Sequence, residues 1–399
     1  MKRVLLLCLS ALLLAPVSNA QVRVVKSADR KLTLNLSGLR VAGDPAAQIF
    51  FQTLEKNLRL SGWFEPLRGS GELLLSGSVN RKGGDVRTTC QVIRQADRAT
   101  LFSKGYSIDA DRARTLAQRV ADEIVEAVTG RKGIASTKIA MVGTRSGAKE
   151  LWLCDADGGS VSQLTTDKSI VVGPNWGPAG DRLVYTSFMR GFPDVYEVNL
   201  RSRRRKSLAS YGGLNTGAAL SPDGKTMTLI LSKDGNPELY VQSLSRGKPQ
   251  RITTTLRATE ASPSWSPDGQ NLVYVSDQSG TPQLYIINRN GGRPKRLSSR
   301  GSENVAPDWG PNGLIACASK EGGRYHIAII NPTSGETRYL PTDGADYEDP
   351  SWAPDGRHLV AARSVRYQSS LYLLDTVSDA PVALVHGDGN WLSPTWSPR

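Results

Sequence analysis

From residue 138 to the C-terminus, short apolar runs alternate with turn residues, and the whole pattern repeats. The turns are tetrads: Gly177-Pro178-Ala179-Gly180, Ser221-Pro222-Asp223-Gly224, Ser266-Pro267-Asp268-Gly269, Gly310-Pro311-Asn312-Gly313 and Ala353-Pro354-Asp355-Gly356, with a truncated copy at Ser397-Pro398-Arg399. Before them stand Trp176, Leu220, Trp265, Trp309, Trp352 and Trp396, at successive gaps of 44, 45, 44, 43 and 44 residues. A repeat of this length is that of a β-propeller blade. Each tetrad is followed by a run ending in serine, such as Leu272 to Ser276. Next come a run carrying tyrosine or histidine, such as Leu284-Tyr285, and a short run such as Arg296-Leu297, so each unit holds four strands. Proline presets φ for a tight turn and glycine supplies the positive φ, so the tetrad joins the first strand to the second. Asn290-Gly291-Gly292 and Asp157-Gly158-Gly159 have the composition of hairpin turns between the third and fourth.

Five copies are complete. Lys138 to Thr165 holds a second, third and fourth strand without a first, and Leu392 to Trp396 is a first strand with nothing after it. Joined, they make a sixth blade, which closes the ring and leaves no exposed sheet edge. The tryptophans read as anchors packed between neighbouring blades.

Residues 21–132 lack the repeat. Strand-like Leu32 to Leu36 precedes a helix that Asp44 and Pro45 start and Gly62 stops. Strand-like runs follow at Glu72 to Val79, Val86 to Ile93 and Thr100 to Tyr106. A second helix from Asp109 to before Gly130 has Leu116, Val120, Ile124 and Val128 on one face. The expected architecture is therefore two domains: a small α/β domain over 21–132 and an all-β, six-bladed propeller over 133–399, with Gly130 to Thr137 as linker. Lys2 and Arg3, the apolar run Val4 to Ala15 and Ser18-Asn19-Ala20 have the form of a secretory signal peptide over 1–20, which implies export.

Without Lys2 and Arg3 the count is 48 basic against 37 acidic residues, a net charge of +11. Such a surface suits anionic envelope components or acidic proteins, and nucleic acid is not an expected partner of an exported chain. Cys90, Cys154 and Cys317 have no C-x-x-C spacing and read as buried thiols. No metal site or cofactor is expected: the aspartates at 155 and 157 match Asn288 and Asn290 in the next complete hairpin of this kind, which marks a turn slot. His326 and His358 fall in strand runs and His386 in a late connection. No G-x-S-x-G pentad is present, so catalysis is not expected.

Leu60-Ser61-Gly62-Trp63-Phe64-Glu65-Pro66-Leu67, Ala121 to Gly130 and Ser276-Asp277-Gln278-Ser279-Gly280-Thr281-Pro282-Gln283-Leu284-Tyr285 resemble segments of the TolB family, the periplasmic component of the Tol-Pal envelope system. The resemblance covers essentially the whole chain. It implies a binding protein that engages the peptidoglycan-associated lipoprotein through its propeller and TolA through its extreme N-terminus, here Gln21, Val22, Arg23, Val24 and Val25. With that come a periplasmic location peripheral to the membrane, a part in outer-membrane integrity and constriction at division, and room for other envelope lipoproteins or porins as partners.

Strand alternation places tetrads and third-to-fourth turns at one end of the ring, and the longer second-to-third and fourth-to-first loops at the other. The lipoprotein is expected at the loop end, around Arg257, Thr259, Glu260, Asp277, Gln278, Ser302, Glu303, Asn304, Tyr347, Glu348 and Asp349, because binding residues concentrate on loops held by a rigid scaffold. Arg201, Arg203, Arg204, Arg205 and Lys206 form a basic cluster at the tight end. A closed ring leaves no edge for self-pairing, so a monomer is expected. The alternative is a propeller that takes a sugar or peptide in its central channel.

Overall fold

The computed structural model describes residues 30–245, 247–377 and 380–399. The expected signal peptide and the segment Gln21 to Val25 lie outside the described residues.

The N-terminal domain runs β1 (Leu32–Val41), α1 (Pro45–Leu60), β2 (Phe64–Leu67), β3 (Leu73–Lys82), β4 (Asp85–Arg94), β5 (Thr100–Asp109) and α2 (Ala113–Thr129). Asp44 caps α1 by accepting from the Ala47 amide at 2.9 Å, with Pro45 at the first helical position. Gly130, at φ 71°, closes α2 in the left-handed conformation. The sheet order is β2-β1-β3-β4-β5, with β1 parallel to both neighbours and β3 to β5 antiparallel. Leu34, Leu75 and Val92 from the sheet bury against Phe50, Leu54 and Leu58 of α1 and Val120 and Ile124 of α2. The four-residue β2 carries no strand pattern of its own. It contains Pro66, tolerated because β2 is an edge strand.

The remainder is the six-bladed propeller. Blade 1 spans 171–209, blade 2 spans 215–251, blade 3 spans 260–296, blade 4 spans 303–339 and blade 5 spans 346–385. Blade 6 combines Trp391–Trp396 with Lys138–Gly143, Glu150–Asp155 and Ser162–Gln163, and the C-terminal strand pairs antiparallel with Lys138–Gly143 as its inner neighbour. The seam is reinforced from outside the ladder: Lys138 N donates to Ser397 Oγ at 2.9 Å and Trp396 Nε1 to Thr137 Oγ1 at 2.7 Å.

Apolar packing lies between blades. Trp176 sits with Leu183 and Tyr185 of blade 1 against Ala140 and Val142 of blade 6, and Trp265 with Leu272 and Tyr274 of blade 3 against Ala219 and Ile230 of blade 2. The indoles also bond across these seams, Trp176 Nε1 to Thr395 O at 2.9 Å and Trp265 Nε1 to Ala219 O at 3.0 Å. Leu220 fills the equivalent place in blade 2. Cys90, Cys154 and Cys317 are buried and unpaired, and burial pushes the Cys154 and Cys317 thiols up to about 12. Among the described residues no helix is long and apolar enough to cross a membrane.

The candidate partner-binding face

The N-terminal domain is bonded to the tetrad end of the ring, at blades 5 and 6. Arg357, which follows the blade 5 tetrad, forms a bidentate pair with Asp375 at 2.9 and 2.6 Å, donates to Gly62 O at 3.1 Å and lies 4.7 Å above the Trp63 ring. Gly62, at φ 71°, leaves no room for a Cβ: one built there meets Asp375 Oδ2 at 2.6 Å. In blade 6, Asn57 Nδ2 donates to Asp157 at 3.0 Å, and Arg114 of α2 pairs with both Asp155 and Asp157. Burial opposes charge on Asp155, but Lys138 and Arg114 hold its carboxyl below the ordinary range. The two aspartates are thus domain-joining groups. The stretch 130–137 is likewise fastened: Ile134 and Ala135 are buried, and Asp122 accepts from the Ala135 and Ser136 amides at 2.7 and 2.9 Å.

The loop end carries most of the exposed apolar side chains. Ile170, Met189, Phe192, Leu256 and Tyr367 lie in fourth-to-first or second-to-third connections, and Val365 ends the second strand of blade 5 beside Tyr367. Leu256 is 98% exposed and Tyr367 99%. Tyr367 sits on a two-residue hairpin closed by the pair Val365 and Gln368, with φ 48° at Arg366 and 68° at Tyr367. Such primed turns favour Asn-Gly, and holding two bulky residues at positive φ costs on the order of 1–3 kcal/mol each. The turn thus presents an aromatic ring to solvent from a strained backbone, and sequence pattern gave no sign of it.

The expected site residues divide by burial. Arg257, Thr259, Gln278 and Ser302 are exposed. Asp277, Glu303, Glu348 and Asp349 are half-buried. Glu260, Asn304 and Tyr347 are buried and so are not surface contacts in this structure, because each faces a seam between blades. Asn304 Nδ2 donates to Gln283 Oε1 of blade 3 at 2.9 Å, and Glu260 accepts from Ser276 Oγ at 3.1 Å. Tyr347 OH reaches Asp343 at 3.3 Å. The structure brings 257–260, 277–278 and 302–304 together along the rims of blades 3 and 4: Asp277 accepts from Thr259 N at 2.8 Å, and Ser302 O accepts from Thr281 Oγ1 at 2.9 Å. Glu303 accepts from Lys320 Nζ at 2.8 Å and Tyr325 OH at 2.6 Å, which lowers its pKa. Burial, reinforced by Asp349 and Asp346, raises that of Glu348.

Asp349 points elsewhere, into the channel. Every inner strand bulges at one residue with positive φ: Gly173, Gly217, Ser262, Ala306, Asp349 and Ser393, between 43° and 59°. Proline follows in five of the six, alanine in blade 2. These bulges line a cavity of about 210 Å³ at the loop end of the channel, and the tetrads line one of about 300 Å³ at the other. In blades 3 to 5 the residue before the tryptophan bonds to the next blade: Ser264 Oγ accepts from Trp309 N at 3.0 Å, Asp308 from Trp352 N at 2.7 Å and Ser351 Oγ from Trp396 N at 3.1 Å. Desolvation raises the pKa values of Asp308 and Asp349. The recurring proline two places before the tryptophan was the available sequence signal for these bulges.

Arg201, Arg203, Arg204 and Lys206 are exposed near the tight end, and the Arg205 side chain turns toward the loop end, where it meets Met189. Arg205 pairs with Asp167, and the turn is held by Asn199 Oδ1, which accepts from Arg201 N at 3.1 Å and Ser202 N at 2.8 Å.

A family model described as the TolB beta propeller domain matches residues 125–399. A protein TolB homolog of Chlorobium luteolum is 32% identical over 194 residues, 49% of this chain and 44% of the relative, so the match spans less than half of that protein's length. A Tol-Pal system protein TolB of Anaeromyxobacter dehalogenans is 30% identical over 294 residues, 66% of this chain and 67% of its own. The crystal structure of TolB from Acinetobacter baumannii superimposes with a TM-score of 0.83 at 25% identity, covering 93% of this chain and 98% of that one. With two-domain architecture, split blade and sequence in agreement, this chain belongs to the TolB family.

Proposed function

We propose that the protein is a non-catalytic binding component of a Tol-Pal system in the periplasm, and that the loop end of its propeller docks the peptidoglycan-associated lipoprotein. The observation that carries this reading is the gathering of exposed apolar side chains at the end of the ring opposite the N-terminal domain, with Tyr367 on a strained turn. Aromatic anchors ringed by polar loops are the usual energetic centre of a protein interface. Arg257, Thr259, Gln278 and Ser302 would form the polar rim, and Gln21 to Val25 would engage TolA. A binding role fits the histidines: His358 is buried with Nδ1 2.6 Å from Asp355, and His326 Nδ1 lies 3.2 Å from Thr342 Oγ1.

The test is calorimetric titration of the full chain with the soluble domain of the lipoprotein. A Phe192→Ser, Leu256→Ser, Tyr367→Ser variant is expected to lose at least about 100-fold in affinity, since each buried anchor contributes on the order of 1–2 kcal/mol. Unchanged affinity would move docking off this face. Saturable binding of a small sugar or peptide, with no lipoprotein binding, would favour the channel.

A further inference from the structure

At the seams between blades, the residue that opens a third strand faces the residue five places before the next tryptophan. At blades 3 and 4 these are Gln283 and Asn304, joined by the 2.9 Å amide bond already described. At blades 1 and 2 the corresponding inner-strand residue is Asn215, whose amide donates to Pro193 O at 3.2 Å. At blades 2 and 3 the same places hold Glu238 and Glu260, both about 1% exposed or less. Two carboxylates occupy a position where neighbouring seams supply an amide donor.

The hydrogen count around this pair is short by one. Glu238 Oε1 accepts from Arg251 Nη2 at 2.7 Å, Thr255 N at 2.6 Å and Asn236 Nδ2 at 3.1 Å, and the Thr253 hydroxyl, which accepts from Leu239 N at 2.9 Å, gives its hydrogen to the same carboxylate, so Glu238 is satisfied as an anion. Thr255 Oγ1 lies 3.1 Å from Glu238 Oε1, 3.3 Å from Ala258 O and 3.4 Å from Glu260 Oε2, and it has a single hydrogen to give. With that hydrogen on Glu238, a proton on Glu260 is what joins Glu260 Oε2 to Thr255 Oγ1, the hydroxyl that links the two carboxyl groups. The surrounding charges agree. Burial, then Glu238 and Asp277, push Glu260 up to about 7, against donors from Ser276 and Thr255. Burial also opposes charge on Glu238, but donors from Thr253, Thr255 and Arg251 hold it below the ordinary range. Arg251 is thus committed to Glu238, with Asp234 nearby, and Tyr274 of blade 3 is the other titratable group facing Glu260.

The pair lies directly beneath the loop 254–259. Glu238 holds the Thr255 amide, Asn236 holds Thr255 O and Ala258 O at 3.2 and 2.8 Å, and the loop tip carries exposed Leu256 and Arg257. We propose that Glu238 and Glu260 form a proton-operated clamp that fixes the Leu256 loop and strengthens partner docking as the medium acidifies. This rests on the loop end being the docking face. Docking over Leu256 removes more water from Glu260 and so favours its neutral form. Binding is therefore accompanied by proton uptake, and affinity falls as pH rises past the titration of the free protein.

The full chain, Glu260→Gln and Glu238→Gln are compared between about pH 5.5 and 8.5 in two arms, thermal melting alone and calorimetric affinity for the soluble lipoprotein domain. Parent affinity is expected to fall by up to about tenfold per pH unit above about 7, and both amide variants to lose that dependence, as one linked proton requires. Without partner, the parent's melting temperature should decline relative to Glu260→Gln as pH rises from about 5.5 to about 7, where the folded chain still holds a proton that the unfolded chain has lost, and run parallel to it above that. Identical melting profiles for parent and both variants would overturn the clamp, as would recovery of the alkaline loss on adding calcium, which would make the pair a cation site. A pH-dependent melting difference with no lipoprotein binding at any pH would leave the clamp standing and sink the docking reading instead.

Discussion

Replacing Arg357 by alanine tests the joint between the domains. The guanidinium is 9% exposed and its partner Asp375 is 3% exposed, so solvent screens the pair little. Removing the arginine deletes two charge-assisted bonds, the donation to Gly62 O and the stack on Trp63, and leaves Asp375 buried without its main partner. Breaking a buried pair in this way costs on the order of 3–5 kcal/mol. Removing both members leaves no orphan charge, so Arg357→Ala, Asp375→Ala should cost about 2 kcal/mol less than the sum of the single changes. The pH dependence has a definite sign. Burial acts against the Asp375 carboxylate, but Arg357 and the neighbouring His358 hold its pKa below the ordinary value. The group therefore contributes stability above the ordinary carboxylate range, and that contribution disappears as pH falls through the depressed pKa. The gap between parent and Arg357→Ala should narrow below about pH 4. Urea unfolding followed by tryptophan fluorescence measures all three quantities. A cost under about 1 kcal/mol, or strict additivity in the cycle, would refute the reasoning.

A chain ending at Asn390 lacks the inner strand of blade 6, with buried Trp391 and Trp396, and is expected to lose the cooperative calorimetric transition of the propeller. Retention of a single sharp transition at the parent temperature would show that the ring does not depend on this closure. Changing Arg366-Tyr367 to Asn-Gly relieves two positive-φ positions, so the melt should show a gain of about 1–2 kcal/mol while lipoprotein affinity falls. A gain in both would remove the turn from the interface.

The blade count was legible because a tetrad's chemistry is local: proline and glycine mark the turn wherever it lies in the ring. The helix ends were legible for the same reason, through Asp44 and Gly130. What escaped depends on partners distant in sequence. β2 is a strand only because Leu32 to Asn35 pairs with it. Asp155 and Asp157 look like turn residues until Arg114 approaches from α2. The site residues were read by loop membership, which separated the two ends of the ring but not outward from inward. Glu260, Asn304 and Tyr347 stand at the first or second position of inner strands, five places before the tryptophan, where the side chain faces the adjacent blade, and no periodicity within one repeat reveals that.

The division of labour between the two ends follows from turn chemistry. At the tetrad end the aspartates are consumed locally: Asp223 Oδ1 accepts from Ser221 Oγ at 2.5 Å and Lys225 N at 3.0 Å, and Asp268 Oδ1 accepts from Ser266 Oγ at 2.5 Å and Gln270 N at 3.0 Å. A carboxylate so engaged offers little to a partner. The N-terminal domain is attached where that economy lapses, at Arg357, Asp375, Asp155 and Asp157. Loops at the other end have no fixed length to preserve and carry the exposed apolar groups. Blade 5 reaches both. His358–Val365 and Gln368–Asp375 pair without a bulge from the Asp375 clamp to the Tyr367 hairpin, a ladder of eight residues per strand. At about 3.3 Å per residue that is a rod of roughly 25 Å. Because its ladder is continuous, the strained turn at its tip is joined by one unbroken hairpin to Asp375, the residue that holds Arg357 against the other domain.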